Sequence, residues 1–234
     1  MYSDAFCKVY NQFGWNYFPE AFGEQLLEWI DQNQVSVKSS LDLGCGTGVL
    51  CEILHAQGIE SSGMDFSEGM IAIAKERNSE IPYEVADMIT YRPEKQFDLV
   101  TCTGDALNHI MRLEDIGKIF ENVYTYLTDG GYFIFDILNE KEVPMEEPID
   151  LAFSDEVKAQ FMVTHDMEGH VNLKTTVFEN GFKKFEENII EIVHDEKEIC
   201  KLLVKNGFQV LQCEHYLLNN KGNCSSTWYV IATK

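Results

Sequence analysis

A glycine-rich loop between an apolar strand and a helix constrains this chain more than any other feature. Leu41–Gly48 reads Leu-Asp-Leu-Gly-Cys-Gly-Thr-Gly, with glycine at three alternate positions. Glycines allow a tight turn and let a ligand approach the main chain, and the next helix directs free N–H groups and its positive dipole end at that ligand. The segment therefore predicts a ligand-binding turn at the end of a buried strand.

Strand and helix patterns alternate on both sides of this loop. Apolar runs predict strands at 37–43, 59–65, 83–86, 97–102 and 132–138, with helices at 47–57, 67–78 and 113–127 between them. Such alternation is typical of a parallel α/β sheet with right-handed crossovers. Two later runs, 208–217 and 226–233, predict an edge hairpin. We therefore expect a doubly wound, Rossmann-like α/β fold with seven strands and an antiparallel terminal strand.

The pattern changes after the fifth strand. Residues 139–150 read as a loop, and 158–165, 171–179 and 182–193 alternate apolar and polar residues, with Asn180-Gly181 as a hairpin signal. We expect a small antiparallel β-sheet insertion at 151–194, acting as a lid or as a dimer contact. The aromatic-rich residues 1–34 predict a helical N-terminal cover. The whole chain, 1–234, is expected to be a single domain.

Charge and cysteine usage limit the classes of function. The chain has 39 acidic and 18 basic residues, for a net charge of −21, which disfavours nucleic acid and anionic membranes as partners. The seven cysteines form no CxxC pair and no zinc-like spacing with histidine. No signal peptide and no membrane-spanning run is recognisable. We expect a cytoplasmic monomer or homodimer that carries no metal and acts on a small molecule.

Acidic residues follow three successive predicted strands. The glycine spacing differs from the dinucleotide fingerprint, and Asp42 precedes the first glycine within the strand. A carboxylate at Asp42 suits a ligand ammonium group, Asp65 lies where a ribose diol is bound, and Asp87 is placed to accept from an adenine amine. Each acid alone is equally well explained as a cap or turn residue. Together they favour a site for an adenosyl amino acid.

These motifs resemble those of the class I S-adenosylmethionine-dependent methyltransferases. Leu41–Gly48 is similar to the family's first motif, Gly63–Met70 to the second-strand region, and Ala86-Asp87-Met88 to the adenine-binding region. The resemblance covers residues 2–234 and implies S-adenosylmethionine as cofactor and S-adenosylhomocysteine as product. It implies cofactor contacts at Tyr10, Asp42, Gly44, Cys45, Gly46, Asp65, Phe66, Asp87, Met88 and Cys102.

The segment after the fourth strand holds the candidate residues for catalysis and acceptor binding. His109 has the pKa range of a general base, and Asp105 is placed to orient an acceptor. Equally, His109 is explained as a structural histidine and Asp105 as a turn residue. We predict methyl transfer from S-adenosylmethionine to an N or O atom of a small molecule by in-line displacement, with His109 as the candidate base.

Two alternatives remain open at this point. One is a non-catalytic S-adenosylmethionine-binding protein that keeps the pocket without turnover. The other is an NAD-dependent oxidoreductase, which shares the sheet and the acid after the second strand. The oxidoreductase is the weaker alternative, because the glycine spacing departs from its fingerprint and Asp42 has no role in it.

Overall fold

The computed structural model describes residues 2–138, 148–166, 169–214 and 227–234, and it contains two sheets. The helices are α1 (Asp4–Val9), α2 (Tyr17–Gln32), α3 (Val49–Ala56), α4 (Glu68–Arg77), α5 (Leu113–Tyr126) and α6 (Glu196–Lys205), with 3₁₀ turns at Asn11–Phe13 and Ala106–His109. The strands are β1 (Ser39–Leu43), β2 (Glu60–Asp65), β3 (Tyr83–Val85), β4 (Phe97–Cys102), β5 (Leu127–Leu138), β6 (Ile149–Ala152), β7 (Val157–His165), β8 (His170–Glu179), β9 (Phe182–Ile192), β10 (Gln209–Glu214) and β11 (Thr227–Thr233).

The main sheet has seven strands in the order β10-β11-β5-β4-β1-β2-β3. Strands β1 to β5 pair in parallel, whereas β11 lies antiparallel to both β5 and β10. The predicted doubly wound, Rossmann-like sheet with an antiparallel terminal strand is therefore confirmed. Because β1 lies centrally, the loop that follows it opens at the carboxyl edge of the sheet, where ligands bind in such folds.

Helices cover both faces of the main sheet. On one face, α5 and α6 contribute Phe120, Val123 and Leu203 to a cluster that includes Phe133 and Phe135 of β5. On the other face, α2 and α3 bury their apolar residues against β4, β5 and β11. A strand covered on both faces must be apolar along its length, which explains why β4 and the second half of β5 read as continuous apolar runs.

The second sheet, which we call the lid sheet, is antiparallel in the order β6-β7-β8-β9. It confirms the predicted antiparallel insertion after the fifth strand. Ala159, Phe161 and Val177 of this sheet pack against Phe13, with Trp15 at the edge of the same cluster. The amino-terminal segment thus fills the space between the lid sheet and the main sheet, and the insertion is attached by an apolar contact as well as by its two connections.

Several boundaries differ from the sequence prediction. The lid sheet has a fourth strand, β6, whose first two residues were expected to be loop. Strand β5 begins at Leu127 instead of residue 132, because Leu127 pairs with Phe97 before the register shifts. Helix α2 begins at Tyr17, whereas the sequence pattern predicts a helix that begins at Pro19. Pro19 therefore lies inside the first turn, where its missing N–H costs nothing. The predicted turn between the last two strands, residues 219–225, lies outside the described residues.

Candidate functional site

The glycine loop is held against β2 by main-chain hydrogen bonds. The N–H groups of Gly44 and Cys45 donate to the Met64 carbonyl oxygen at 2.8 and 2.9 Å. Gly44, Gly46 and Gly48 all have positive φ angles, of 73°, 53° and 81°. Side chains with a Cβ rarely adopt this region, so the alternate glycines are a requirement of the backbone path.

The glycines of this loop differ in what surrounds them. A Cβ added at Gly48 would lie 2.5 Å from the Tyr83 hydroxyl oxygen, whereas one at Gly46 would meet nothing within 4 Å. The space beside Gly46 is therefore open to a ligand, and Gly48 is packed against the protein itself.

This difference predicts that an alanine substitution has different effects on stability and on ligand binding at Gly48 and at Gly46. Gly48→Ala is expected to lower the free energy of unfolding by about 2–4 kcal/mol, because overpacking adds to the strain of positive φ. Gly46→Ala is expected to cost only about 1 kcal/mol, from strain alone, while obstructing the cofactor. Urea unfolding and calorimetric titration with S-adenosylmethionine measure the two effects. Equal destabilisation by both variants would contradict the conclusion that Gly46 faces open space while Gly48 is packed against the protein.

Asp65, at the end of β2, is the carboxylate nearest the loop. Its oxygens accept hydrogen bonds from the Gly46 N–H at 3.0 Å and from the Ser67 N–H at 2.8 Å. Burial raises the pKa of Asp65, and these backbone donors act in the opposite direction. The carboxylate therefore fixes the loop and the start of α4, and its remaining lone pairs are available to a diol.

Asp42 lies deeper, within β1, and is 4% exposed. Its Oδ1 accepts a hydrogen bond of 2.6 Å from the Thr101 hydroxyl on the neighbouring strand β4. Burial raises the pKa of Asp42 to about 7, and the hydrogen bond from Thr101 opposes that shift. A nearby cation would favour the ionised form, so this acid suits a ligand with a positive group.

The remaining predicted cofactor residues surround the same edge. Phe66 is 55% exposed. This exposure is expected, in the free protein, for a ring that stacks on a bound ligand. Asp87 accepts a hydrogen bond from the Ile89 N–H at 2.9 Å, and Met88 is half-buried beside Gly44. By contrast, Cys102 is fully buried in the main apolar cluster. Its role as a cofactor contact stays a prediction.

His109 contacts two other parts of the chain. Its Nε2 lies 3.3 Å from the Tyr2 hydroxyl oxygen and 3.6 Å from Glu191 Oε1 on strand β9. Burial is the main cause of a lowered pKa for His109, and a hydrogen bond with the Ile190 backbone opposes it. The imidazole is consequently neutral near pH 7 and able to take up a proton.

Asp105 and Asp136 shape the turn that carries His109. Asp136, fully buried on β5, accepts from the N–H groups of Gly104 and Asp105 at 3.1 and 3.2 Å. These bonds hold Asp105 at a positive φ of 61°. Asn108 then joins the two sheets, because it donates to the Ile192 carbonyl at 2.8 Å and accepts from the Leu138 N–H.

The amino-terminal segment packs against this region. Tyr10 packs against Tyr2 and Phe6, with ring centroids 6.0 Å apart in each pair. Burial raises the pKa of Tyr10, and the nearby charges of Asp65 and Asp105 act in the same direction. Tyr10, predicted as a cofactor contact, therefore lies near Asp65 and near Asp105 of the turn that carries His109.

Sequence reasoning missed Glu191 and Tyr2. Glu191 is one acid among several in a strand of mixed polarity, and nothing local distinguishes it from Glu186 or Glu187. Only the pairing of the lid sheet turns its side chain toward His109. The aromatic spacing identified Tyr2 as part of a cover, without indicating that its hydroxyl reaches His109.

The raised acid pKa values predict a pH-dependent stability of the free protein. Burial raises the pKa of Glu191 to about 8, so above pH 6.5 the folded state retains a proton that the unfolded chain has released. This contribution to stability is lost as the pH rises through 8. Asp42 and Asp136 act with the same sign, whereas His109, with its lowered pKa, is neutral in both states above pH 6.5.

We expect the free energy of unfolding to fall between pH 6.5 and 8, with Glu191 contributing about 1.5 kcal/mol of the decline. Urea unfolding at the two pH values measures it, and Glu191→Gln should reduce the decline by that amount. An unchanged decline in the variant would contradict the shift at Glu191.

Comparison with known proteins agrees with this arrangement. Residues 41–131 match the model of a methyltransferase domain. The chain is 25% identical over 230 residues to YqeM of Bacillus subtilis (strain 168), named as a methyltransferase without a stated substrate, covering 90% of this chain and 87% of that protein. Several other curated relatives match over about half of their own length or less.

Solved structures share the whole fold. An S-adenosylmethionine-dependent methyltransferase from Clostridium acetobutylicum ATCC 824 superposes with a TM-score of 0.80 at 24% identity, over 92% of this chain and 91% of that one. CalS10, an amino pentose methyltransferase from Micromonospora echinaspora solved with S-adenosylmethionine bound, gives a TM-score of 0.77 at 17% identity, over 100% and 98%.

Residues 41–131 are thus similar to a methyltransferase domain, and the chain has the fold of the S-adenosylmethionine-dependent methyltransferases on which it superposes. The open space at Gly46 and the exposed ring of Phe66 would fit S-adenosylmethionine, the ligand bound in the CalS10 structure. Within the described ranges, no helix is long and apolar enough to cross a membrane.

Proposed function

We propose that the protein transfers a methyl group from S-adenosylmethionine to an N or O atom of a small-molecule acceptor by in-line displacement. The observation that carries this proposal is that two groups of residues lie side by side at one sheet edge. The predicted cofactor residues follow β1, β2 and β3, while Asp105 and His109 follow β4 under the lid sheet. A donor and an acceptor bound in these halves would meet there.

The cofactor brings a methyl group already activated on a sulfonium, so the protein has mainly to align the partners and exclude water. In our proposal Asp65 binds the ribose hydroxyls, Asp87 the adenine amine, and Asp42 with the Gly44 backbone the methionyl ammonium. His109 is the general base for an acceptor that must lose a proton. The neutral imidazole expected from its lowered pKa supports this role.

We also propose that the lid sheet, Ile149–Ile192, and the N-terminal cover close over a small acceptor. The solved amino pentose methyltransferase of the same fold supports a small-molecule acceptor for this chain. The six cysteines within the described ranges are free thiols, which supports a reducing, cytoplasmic compartment.

Turnover with a pool of small metabolites tests the proposal. The purified chain is incubated with S-adenosylmethionine and a metabolite extract, and formation of S-adenosylhomocysteine is measured by mass spectrometry. The expected result is release that depends on the extract. A chain that binds S-adenosylmethionine calorimetrically and yields no product would support the non-catalytic alternative instead.

A further inference from the structure

A compact group of polar side chains lies under the lid sheet beside the predicted cofactor site. We name it the acceptor cluster, and its members are Tyr2, Tyr10, Asp105, His109 and Glu191. They come from three separate parts of the chain: the amino-terminal segment, the turn after β4, and strand β9. Direct contacts join His109 to Tyr2 and to Glu191. The fold therefore assembles the cluster only when the lid sheet and the amino-terminal segment are both in place.

The charged side chains of the cluster are acidic. The charged groups acting on Tyr2 are Glu191, Asp65 and Asp105, and the pKa of Glu191 is raised by its own burial and by the Asp105 charge. Neither Lys nor Arg forms an ion pair with Asp105 or Glu191 among the described residues. Among the described residues, His109 is the basic side chain in contact with Glu191. Burial and the positive charge of the chain's amino terminus lower the pKa of His109, so the imidazole does not supply a compensating charge.

Two desolvated acids without a Lys or Arg partner among the described residues are costly to ionise, and an opposite charge brought into the site removes that cost. Glu191 has a side chain that is only 14% exposed, and the Asp105 carboxylate has no hydrogen-bond donor among the described residues. The tyrosine hydroxyl groups and the His109 imidazole around these two acids can donate or accept hydrogen bonds but carry no charge. The cluster is thus complementary to a ligand that bears an ammonium group.

We infer that the methyl acceptor is an amine, bound as its ammonium form by Asp105 and by Glu191 of the lid sheet. This inference rests on the proposed function and specifies its substrate class. Glu191 is then an acceptor-binding residue that determines specificity, in addition to the candidate base His109. A neutral hydroxyl acceptor would bring no positive charge to favour the ionised form of these two acids, and it would bind more weakly.

The chemistry balances with the residues present. The bound ammonium group gives one proton to His109 Nε2, which exposes the nitrogen lone pair. That lone pair forms the new N–C bond as the S–C bond breaks, and the S–C electron pair remains on sulfur as the thioether of S-adenosylhomocysteine. The product amine keeps a positive charge, and the transferred proton later leaves to solvent.

The type of atom that receives the methyl group tests the inference directly. The protein is incubated with S-adenosylmethionine carrying a ¹³C-labelled methyl group and a metabolite extract, and the carbon chemical shift of the product distinguishes an N-methyl from an O-methyl group. A labelled N-methyl product is expected. A labelled O-methyl or C-methyl product would overturn the amine inference and leave the proposed function intact. No labelled product would overturn the proposed function itself.

Variants on strand β9 then test the role of Glu191 with the acceptor identified from the labelled product. Glu191→Gln is expected to raise the acceptor KM by about tenfold or more, leave the Kd for S-adenosylmethionine within about twofold, and be partly rescued by Glu191→Asp. Glu186→Gln, on the exposed face of the same strand, is the matched control. Equal acceptor KM values for Glu191→Gln and Glu186→Gln would overturn the role of Glu191.

Discussion

His109→Ala is expected to lower kcat by about 10²–10⁴-fold, the usual contribution of a positioned general base. Because His109 contacts Tyr2 and Glu191 and no residue of the glycine loop, the Kd for S-adenosylmethionine should remain within about twofold of the original. Single-turnover kinetics with a saturating acceptor, together with calorimetric titration of the cofactor, separate the two quantities. A fall in kcat at unchanged cofactor affinity is the signature of a residue acting on the acceptor side.

The control for this experiment is His55→Ala, on helix α3, where the imidazole lies 3.7 Å from the Glu80 carboxylate. This variant removes the same type of side chain at a position outside the acceptor cluster, and it should not change kcat. The pH profile provides a second criterion. Turnover should rise with pH through the lowered pKa of His109, and this rise should disappear in His109→Ala. An unchanged kcat in the variant would remove His109 from the mechanism.

Asp65→Ala is expected to weaken S-adenosylmethionine binding by about a hundredfold. Hydrogen bonds to a charged carboxylate contribute about 1.5–3 kcal/mol each, and a ribose diol would make two of them. The substitution also releases the Gly46 and Ser67 N–H groups, so the loop loses its support from the end of β2. Calorimetric titration measures the affinity, and thermal unfolding of the free protein measures the loss of support.

Two variants separate these contributions. Asp65→Asn keeps an oxygen that can accept from one backbone donor while removing the charge, so we expect an affinity between those of the original and of Asp65→Ala. Glu68→Gln removes an exposed charge from the first turn of α4 and should leave binding unchanged. Asp65→Ala with full affinity for S-adenosylmethionine would be incompatible with this cofactor site.

The main sheet could be predicted from sequence because each of its signals is local. The apolar runs of β1 and β4, the glycines of the loop and the caps of α4 each depend on a few consecutive residues. Ser67 shows this well, since a serine directly before an apolar helical pattern is a common N-cap, and its side chain accepts a hydrogen bond from the Met70 N–H. For the same reason, local sequence patterns predicted that Asp65 and Asp87 follow the ends of adjacent strands.

The acceptor side could not be predicted in the same way. Glu191 reaches His109 only through the register of β8 and β9 and through the attachment of the lid sheet to the main sheet. Each of these pairings joins residues far apart in sequence, and alternation along a strand does not say which face meets a partner. The strand β6 was missed for a related reason, because a short exposed edge strand has no buried face to impose a pattern.

The attachment of helix α1 to the lid sheet has a consequence for protein engineering. The Ser3 hydroxyl and N–H both donate to the Glu187 carboxylate on β9, and the Cys7 thiol contacts the Ser67 hydroxyl at the start of α4. A chimera that exchanges residues 149–192 for those of a relative would therefore lose its amino-terminal anchor unless residues 2–15 are exchanged with them. We expect acceptor preference to transfer only when both segments are exchanged together, with the rest of the chain unchanged.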